Sequence, residues 1–322
     1  MADSLSAETH VRDRGRSGDD PAGWPSARLP GWLDTCATLR LWTQMVGKVR
    51  LALTPQVNHW WNVPLYVSAR GLTTSAMPCG QHTVELEFDF IAQQLVLRLS
   101  DGRAFTQDLR SQPMPEFYRK FLALLDTAGV RVRLWPMPVE IPGAVRFDQD
   151  HGHTAYDAEV ARVLWTILRS TSRVFQQFRG DFIGKSSPVH FFWGAADLAV
   201  TRFSGRPAPI RPNADAVTRE AYSHEVSSVG FWPGSDPGPV RTASFYAYAA
   251  PEPPGFRAAQ VRPHGAYYHD ELGEFVLDYE QVRATSSPTA ALLDFCQSTY
   301  AAAATLGHWD RAALERHFAP EA

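Results

Sequence analysis

The alternation of apolar and acidic side chains in residues 84–90 constrains the fold of this chain more than any other feature. In this run, VELEFDF, every second side chain is apolar and those between are acidic, and residues 95–99 repeat the period before an Asp101-Gly102 turn. A period of two is typical of a β-strand with one face against a core and the other in water. Two such strands joined by a short turn form an antiparallel pair, so the sequence predicts antiparallel sheet with one wet face.

Other segments follow the helical period of three or four residues. Residues 38–53 and 155–182 both place apolar side chains at this spacing, which predicts amphipathic helices. A third helix is predicted to open at Pro113 and close at Gly129, and a last one to open at Pro288. Further strands are predicted at 130–134, 189–194, 197–204, 223–231, 243–250 and 274–278.

The order of these elements predicts the fold class. A helix, several strands and a helix follow one another twice, which is typical of an α+β protein with mainly antiparallel sheets covered by helices. Both passes contain a Gly-Lys pair and then a histidine with two aromatic residues, within 47–61 and 184–192. We predict a disordered tail over residues 1–23 and two α+β halves, residues 24–143 and 144–322, packed as one globular unit. One hypothesis is that the halves are pseudo-repeats whose histidine–aromatic segments flank a shared cleft, and chance matching of common residue types is the alternative.

The composition argues against several classes of partner. Hydrophobic residues make up 44% of the 322 residues, and the formal net charge is −3, which gives no strong attraction to nucleic acid or to an anionic membrane. No apolar run approaches the length of a membrane span, and the polar N-terminus lacks the apolar centre of a signal peptide. The three cysteines, Cys36, Cys79 and Cys296, fit neither a zinc knuckle nor a disulfide framework. We expect a cytoplasmic protein without nucleic-acid or membrane partners.

Ionisable side chains inside apolar strand sequence are the candidates for a functional site, because buried charges are rare unless they are paired or used. His190 lies within residues 189–192, Val-His-Phe-Phe, and His224 lies within residues 222–225, Tyr-Ser-His-Glu. Either imidazole is suited to general acid–base chemistry. Asp197 begins a strand and is predicted either to orient His190 or to cap the preceding turn. We name His190, His224 and Asp197 as candidate catalytic residues, and a core histidine held by a backbone carbonyl is the alternative for His190.

Cations and aromatic residues near these positions are candidates for binding a substrate. The set is Lys185, Trp193, Arg202, Arg206, Tyr222 and Glu225. The lysine follows a glycine, and its ammonium and the neighbouring backbone N–H groups are suited to meet an anion. Tyr222 lies on the same side of its strand as His224. Glu225 lies on the opposite side and is predicted to pair with Arg202 or Arg219.

Long runs with a shared character occur at residues 58–67, 184–194, 197–206, 220–225 and 230–234. These runs resemble a family of uncharacterised bacterial proteins designated a domain of unknown function, DUF5996. The resemblance extends over nearly all of residues 24–318 and implies one unit without an appended enzyme domain. It implies no activity, substrate, cofactor or catalytic residue.

The residues leave functions of different classes open. The first hypothesis is an enzyme that acts on a small anionic or carbonyl-containing molecule, with a strand histidine as acid or base and Lys or Arg side chains holding the charge. The second is a protein that binds a small ligand or a partner without catalysis. The third is a metalloenzyme that uses His59, the two strand histidines and Glu225. Purely structural use of these side chains is the remaining alternative, and neither a cofactor nor an oligomeric state is assigned.

Overall fold

Helices and strands are described over residues 23–316 of the computed structural model. The helices are α1 (Trp32–Leu53), α2 (Met114–Ala128), α3 (Ala158–Gly180), α4 (Ala216–Ala221), α5 (Tyr279–Arg283), α6 (Pro288–Leu306) and α7 (Arg311–Leu314). The strands are β1 (Tyr66–Val67), β2 (Gly71–Thr73), β3 (Met77–Cys79), β4 (His82–Asp89), β5 (Gln94–Leu99), β6 (Ala104–Asp108), β7 (His190–Phe192), β8 (Asp197–Pro207), β9 (His224–Trp232), β10 (Ser244–Ala250), β11 (Tyr267–His269) and β12 (Glu274–Asp278). The tail predicted for residues 1–23 lies outside the described residues except for Gly23. Within the described range, no helix combines the length and the apolar character that crossing a membrane requires.

The first sheet is antiparallel and realises the alternation of residues 84–99. Its strand order is β1-β2-β4-β5-β6, and β3 pairs with the start of β4. Val84, Leu86 and Phe88 are fully buried on one face, whereas Glu87 on the other face forms an ion pair with Arg98 at 2.8 Å. The period of two therefore separates a core face from a polar face. The predicted wet face is only partly realised, because Glu87 and Asp89 are 7% and 4% exposed.

The second sheet is also antiparallel, with the order β11-β12-β10-β9-β8-β7. Helices α3 and α6 pack against one of its faces, where Leu198, Phe231 and Phe245 are fully buried. Antiparallel sheets covered by helices are the predicted α+β class. The order helix, sheet, helix occurs in both halves, while the duplication and the boundary at residue 143 stay predictions.

The two sheets meet where β1 and β7 run side by side. The N–H of Leu65 donates to the carbonyl of Phe191 at 2.9 Å, and the N–H of Phe191 donates back at 2.8 Å. Helix α1 is packed beside this junction, and every residue from Leu41 to Arg50 is buried. Helix α1 therefore lies in the core of both halves. Because it is buried on all sides here, its sequence lacks the single apolar stripe of a surface helix.

One strand prediction is wrong. Residues 130–157 contain no strand, although residues 130–134 alternate between apolar residues and arginine. Val132 and Leu134 pack partly buried against the core, so the alternation reflects half-burial of an extended segment that no neighbouring strand joins. The second histidine–aromatic segment forms β7, whereas the first forms a short 3-10 helix, Asn58–Trp60, instead of a strand.

A methyl group on Gly47 would overlap the indole ring of Trp193, which is held in place by a hydrogen bond from its Nε1 to the carbonyl of Val63 at 2.9 Å. We expect Gly47→Ala to lower the free energy of unfolding by about 1–3 kcal/mol through overpacking, measured by urea denaturation. Gly180→Ala is the matched control, because nothing lies within 4 Å of the added methyl group at the end of α3. Equal losses in the two variants would contradict the role of close packing at Gly47.

Candidate functional site

The face of the second sheet that turns away from α3 and α6 carries many polar side chains. Strand alternation and the observed register place these residues on one side. This face, called the polar face below, is formed by His190, Phe192, Asp197, Thr201, Phe203, His224, Ser228, Tyr246, Tyr248 and Glu274. Thr201 Oγ1 and Ser228 Oγ are 2.9 Å apart across two strands, which fixes their common orientation.

A lysine and a neutral histidine touch at one end of the polar face. Lys185 Nζ lies 2.7 Å from His59 Nε2, and His59 Nδ1 lies 3.0 Å from the carbonyl oxygen of Glu220. An ammonium group can only donate, so Nε2 accepts from Lys185 and Nδ1 carries the proton that is donated to the carbonyl. Burial, followed by the charge of Lys185, lowers the pKa of His59. The histidine is therefore held as one neutral tautomer that positions the ammonium.

His224 presents a ring nitrogen beside this pair. Its ring centroid lies 5.6 Å from that of His59. Ser223 Oγ donates its single proton to the carbonyl of Glu220 at 2.8 Å, so it accepts from His224 Nδ1 at 3.1 Å. When the imidazole donates from Nδ1 in this way, its Nε2 is left as a proton acceptor, and Nε2 has no hydrogen-bond partner within residues 23–316.

Aromatic rings surround the lysine. Its Nζ lies 5.3 Å from the ring centroid of Trp61 and 5.0 Å from that of Phe203, within the range of cation–π attraction. The His59 ring contacts the same two rings at 5.2 and 4.8 Å. Apolar walls lower the local dielectric, so the charge of Lys185 acts more strongly on a bound group than it would in open water.

His190 is fully buried beside this group. Its ring centroid lies 6.0 Å from that of Trp61, 5.5 Å from that of Tyr66 and 5.5 Å from that of Phe192. Neither ring nitrogen has a hydrogen-bond partner among the described residues. Burial lowers the pKa of His190 to about 3, so the ring is neutral at physiological pH. The predicted hydrogen bond between Asp197 and His190 is not formed. The alternative, a hydrogen bond from His190 to a backbone carbonyl, is not formed among the described residues either.

Carboxyl groups and tyrosine hydroxyls occupy the other end of the polar face. Tyr246 donates a hydrogen bond to Asp197 Oδ2, and Tyr222 donates to the hydroxyl of Tyr248 at 3.1 Å. Burial raises the pKa of Asp197 to about 7, against the opposing effect of the Tyr246 hydrogen bond. Burial, followed by the charge of Asp197, raises the pKa of Glu274 to about 7. Two carboxyl groups on this face therefore change protonation near neutral pH.

Arg202 points toward the helices instead of the polar face. Its Cζ lies 3.5 Å from the ring centroid of Phe178 and 4.3 Å from that of Tyr300, and it donates a hydrogen bond to the carbonyl of Phe178. The structure thus separates Arg202 from His190 and His224 by the thickness of the sheet.

Glu225, Arg206 and Trp193 also lie apart from the polar face. Glu225 forms an ion pair with Arg206 at 2.7 Å. The predicted pairing of Glu225 with Arg202 or Arg219 is therefore wrong. Trp193 packs against Gly47 of α1. Of the predicted site residues, the polar face and the segments beside it hold Lys185, His190, Asp197, Tyr222 and His224.

Residues of the site that were not among the candidates named from the sequence include Trp61, Phe203, Tyr246, Tyr248 and Glu274. The two tyrosines are two residues apart on β10, which places both on one face. Glu274 opens β12 in a run that is otherwise apolar up to Asp278. Polar residues at strand positions of equal parity would have been a usable signal.

Within residues 23–316, no group of three or more His, Cys, Asp or Glu side chains is arranged to hold a metal ion. Glu225 points to the opposite side of its strand from His224. The four residues of the metalloenzyme hypothesis are therefore not gathered at one point.

The family model of DUF5996, a family of unknown function, matches residues 24–316. This chain belongs to the DUF5996 family. The match spans both sheets and α1–α7. No curated protein and no solved structure matches the chain.

Proposed function

We propose that this DUF5996 member is an enzyme that moves a proton on a small anionic or carbonyl-containing compound at the polar face. The observation that carries the proposal is the group of Lys185, His59 and His224. It combines an ammonium held by a neutral imidazole with a second imidazole whose Nε2 is free to accept a proton. A base beside a fixed cation suits abstraction of a proton next to a carbonyl or carboxylate.

Each residue of the group has a separate task. His224 Nε2 takes the proton from the substrate, while the Lys185 ammonium stabilises the negative charge that develops on the substrate oxygen. His59 acts as a positioning residue, since it accepts a hydrogen bond from Lys185 and leaves the remaining ammonium N–H groups for the substrate. Trp61 and Phe203 supply the low-dielectric walls that strengthen this interaction.

Exchange of substrate hydrogen with deuterated water is the direct test. The full chain is incubated in D2O with a panel of small carboxylates, phosphate esters, aldehydes and ketones, and uptake of deuterium or conversion is followed by mass spectrometry. We expect at least one compound to exchange or react with the wild-type chain, and His224→Gln to abolish the effect. A compound that binds without exchange or conversion would instead indicate a ligand-binding protein, and no response from any compound would contradict the proposal.

Lys185→Met is expected to lower kcat/KM by about 10²-fold or more, since removal of one electrostatic contact to a developing oxyanion has this size. The variant should also raise the pKa of His59, because the charge of Lys185 lowers it, and this shift is measured by NMR titration of the ring. Lys120→Met on α2 is the matched control. Lys120 lies away from the polar face, and its Nζ forms an ion pair with Glu116 Oε1 at 2.6 Å. Unchanged kinetics in Lys185→Met would remove the lysine from the mechanism.

A further inference from the structure

Several buried side-chain nitrogens without hydrogen-bond partners occur near His190, at the junction of the two sheets. They are both ring nitrogens of His190, Nε of Arg50 and Nε of Arg179, none of which makes a hydrogen bond within residues 23–316. Trp42, Trp60 and Arg202 carry further such nitrogens. Buried polar groups are nearly always hydrogen-bonded, and an unpartnered one costs about 1–3 kcal/mol. Several such groups in one region indicate that a binding partner is missing.

Arg50 and His190 both lie beside Tyr66. The Arg50 guanidinium carbon lies 5.3 Å from the Tyr66 ring centroid, and the Tyr66 ring lies 5.5 Å from the His190 ring. After burial, the charges of Arg50 and Arg179 are the next causes of the lowered pKa of His190. Arg50 comes from the end of α1, Arg179 from the end of α3 and His190 from β7, so the two charges that act on His190 come from two different helices.

The positive charge at this place has no acidic counterpart in the described part of the chain. Neither Arg50 nor Arg179 forms an ion pair there. Arg50, 7% exposed, donates to neutral oxygens, namely the carbonyl of Thr74 and the hydroxyls of Ser75 and Tyr66. A buried guanidinium without an anion is unfavourable, because its desolvation is not offset by a charge partner.

We propose that Arg50, Arg179 and His190 form a binding site for a phosphate-like oxyanion at the junction of the two sheets. Guanidinium groups match the geometry of phosphate oxygens, and a neutral imidazole adds one donor and one acceptor. The shared ligand chemistry is a phosphate group, either as the free ion or as part of an ester. The site is separate from His224 and Lys185, although Trp61 contacts both His59 and His190, and it does not depend on the proposed function.

Thermal unfolding of the full chain in phosphate, against chloride at equal ionic strength, tests the site. A ligand that binds only the folded state raises the thermal midpoint in a saturable way, and we expect this for phosphate. Inorganic phosphate and glycerol 3-phosphate are compared, so that stronger binding of the ester would identify a substrate group and stronger binding of the free ion a phosphate site. The absence of a saturable rise with both ligands would overturn the proposal.

Arg179→Gln is expected to weaken phosphate binding by roughly 10- to 100-fold, the size of one lost charge-assisted hydrogen bond. Arg169→Gln on the same helix is the matched control. The Cζ of Arg169 lies 5.0 Å from the ring centroid of Trp165, so this substitution should leave phosphate binding unchanged. Equal binding in wild type and Arg179→Gln would mean that an adventitious surface ion causes the rise, which overturns the site.

A second measurement does not depend on the stability of the variants. A bound anion favours the imidazolium form, so phosphate should raise the pKa of His190 from about 3 in an NMR titration of the wild-type chain. Unchanged His190 resonances at saturating phosphate would overturn the site. Because His224→Gln should retain phosphate binding, failure of this inference and failure of the proposed function give different results.

Discussion

Replacing His224 by glutamine is expected to lower kcat/KM by about 10²- to 10⁴-fold, the usual contribution of a general base. The glutamine amide can still donate a hydrogen bond to Ser223 Oγ, but it cannot take a proton from the substrate at neutral pH. The loss should therefore appear mainly in kcat, and exchange of substrate hydrogen with D2O should vanish with it. Steady-state kinetics on the compound found by the exchange screen measures both effects.

His82→Gln serves as the matched control for this prediction. His82 begins β4 in the first sheet, and its Nδ1 lies 3.7 Å from Asp101 Oδ2. It lies outside the polar face, so its replacement should leave kcat/KM unchanged. A similar loss in both variants would indicate an effect on folding, and an active His224→Gln chain would exclude this histidine as the base.

Asp197→Asn is expected to stabilise the folded chain at alkaline pH. Burial raises the pKa of Asp197 from 3.8 to about 7, so the folded state binds a proton that the unfolded state has already released over this interval. Stability then falls as pH rises from the unfolded pKa to the folded one, by at most about 4 kcal/mol at about 1.4 kcal/mol per pH unit. Asparagine removes this loss and keeps an oxygen that accepts from Tyr246.

The pH dependence separates this effect from a simple change in packing. The free energy of unfolding is measured by urea denaturation near pH 5 and near pH 8. Between these pH values, that of Asp197→Asn should rise by about 2–3 kcal/mol relative to that of wild type. Asp148→Asn is the control, because Asp148 is exposed and Arg146 lowers its pKa, so no gain is expected. A constant difference at both pH values would show that Asp197 does not titrate near neutrality in the folded state.

The periodicity of the sequence predicts much of the fold. The strand predicted at residues 274–278 coincides with β12, and that predicted at 243–250 begins one residue before β10. Helix α1 begins six residues before its predicted start at residue 38, because the α1 residues are buried against both halves and lack one clear apolar stripe. The short elements α4 and β11 carry too few residues for a period to be recognised.

The candidate site was predictable only within single strands. Asp197 and Arg202 lie five residues apart on β8, so alternation alone places them on opposite faces. The contact between Lys185 and His59, in contrast, joins residues 126 positions apart. It depends on how the segment before β1 reaches the second sheet, and no local pattern encodes that arrangement.

Helix α1 also determines what happens when the polypeptide is cut. The connection between α2 and α3 is accessible at Trp135, which is 63% exposed, so a protease can cleave there. The amino-terminal fragment would keep α1, whose buried surface is completed by Trp193 of the other fragment. A nicked molecule should therefore remain associated, and neither fragment should be stable once the two are separated.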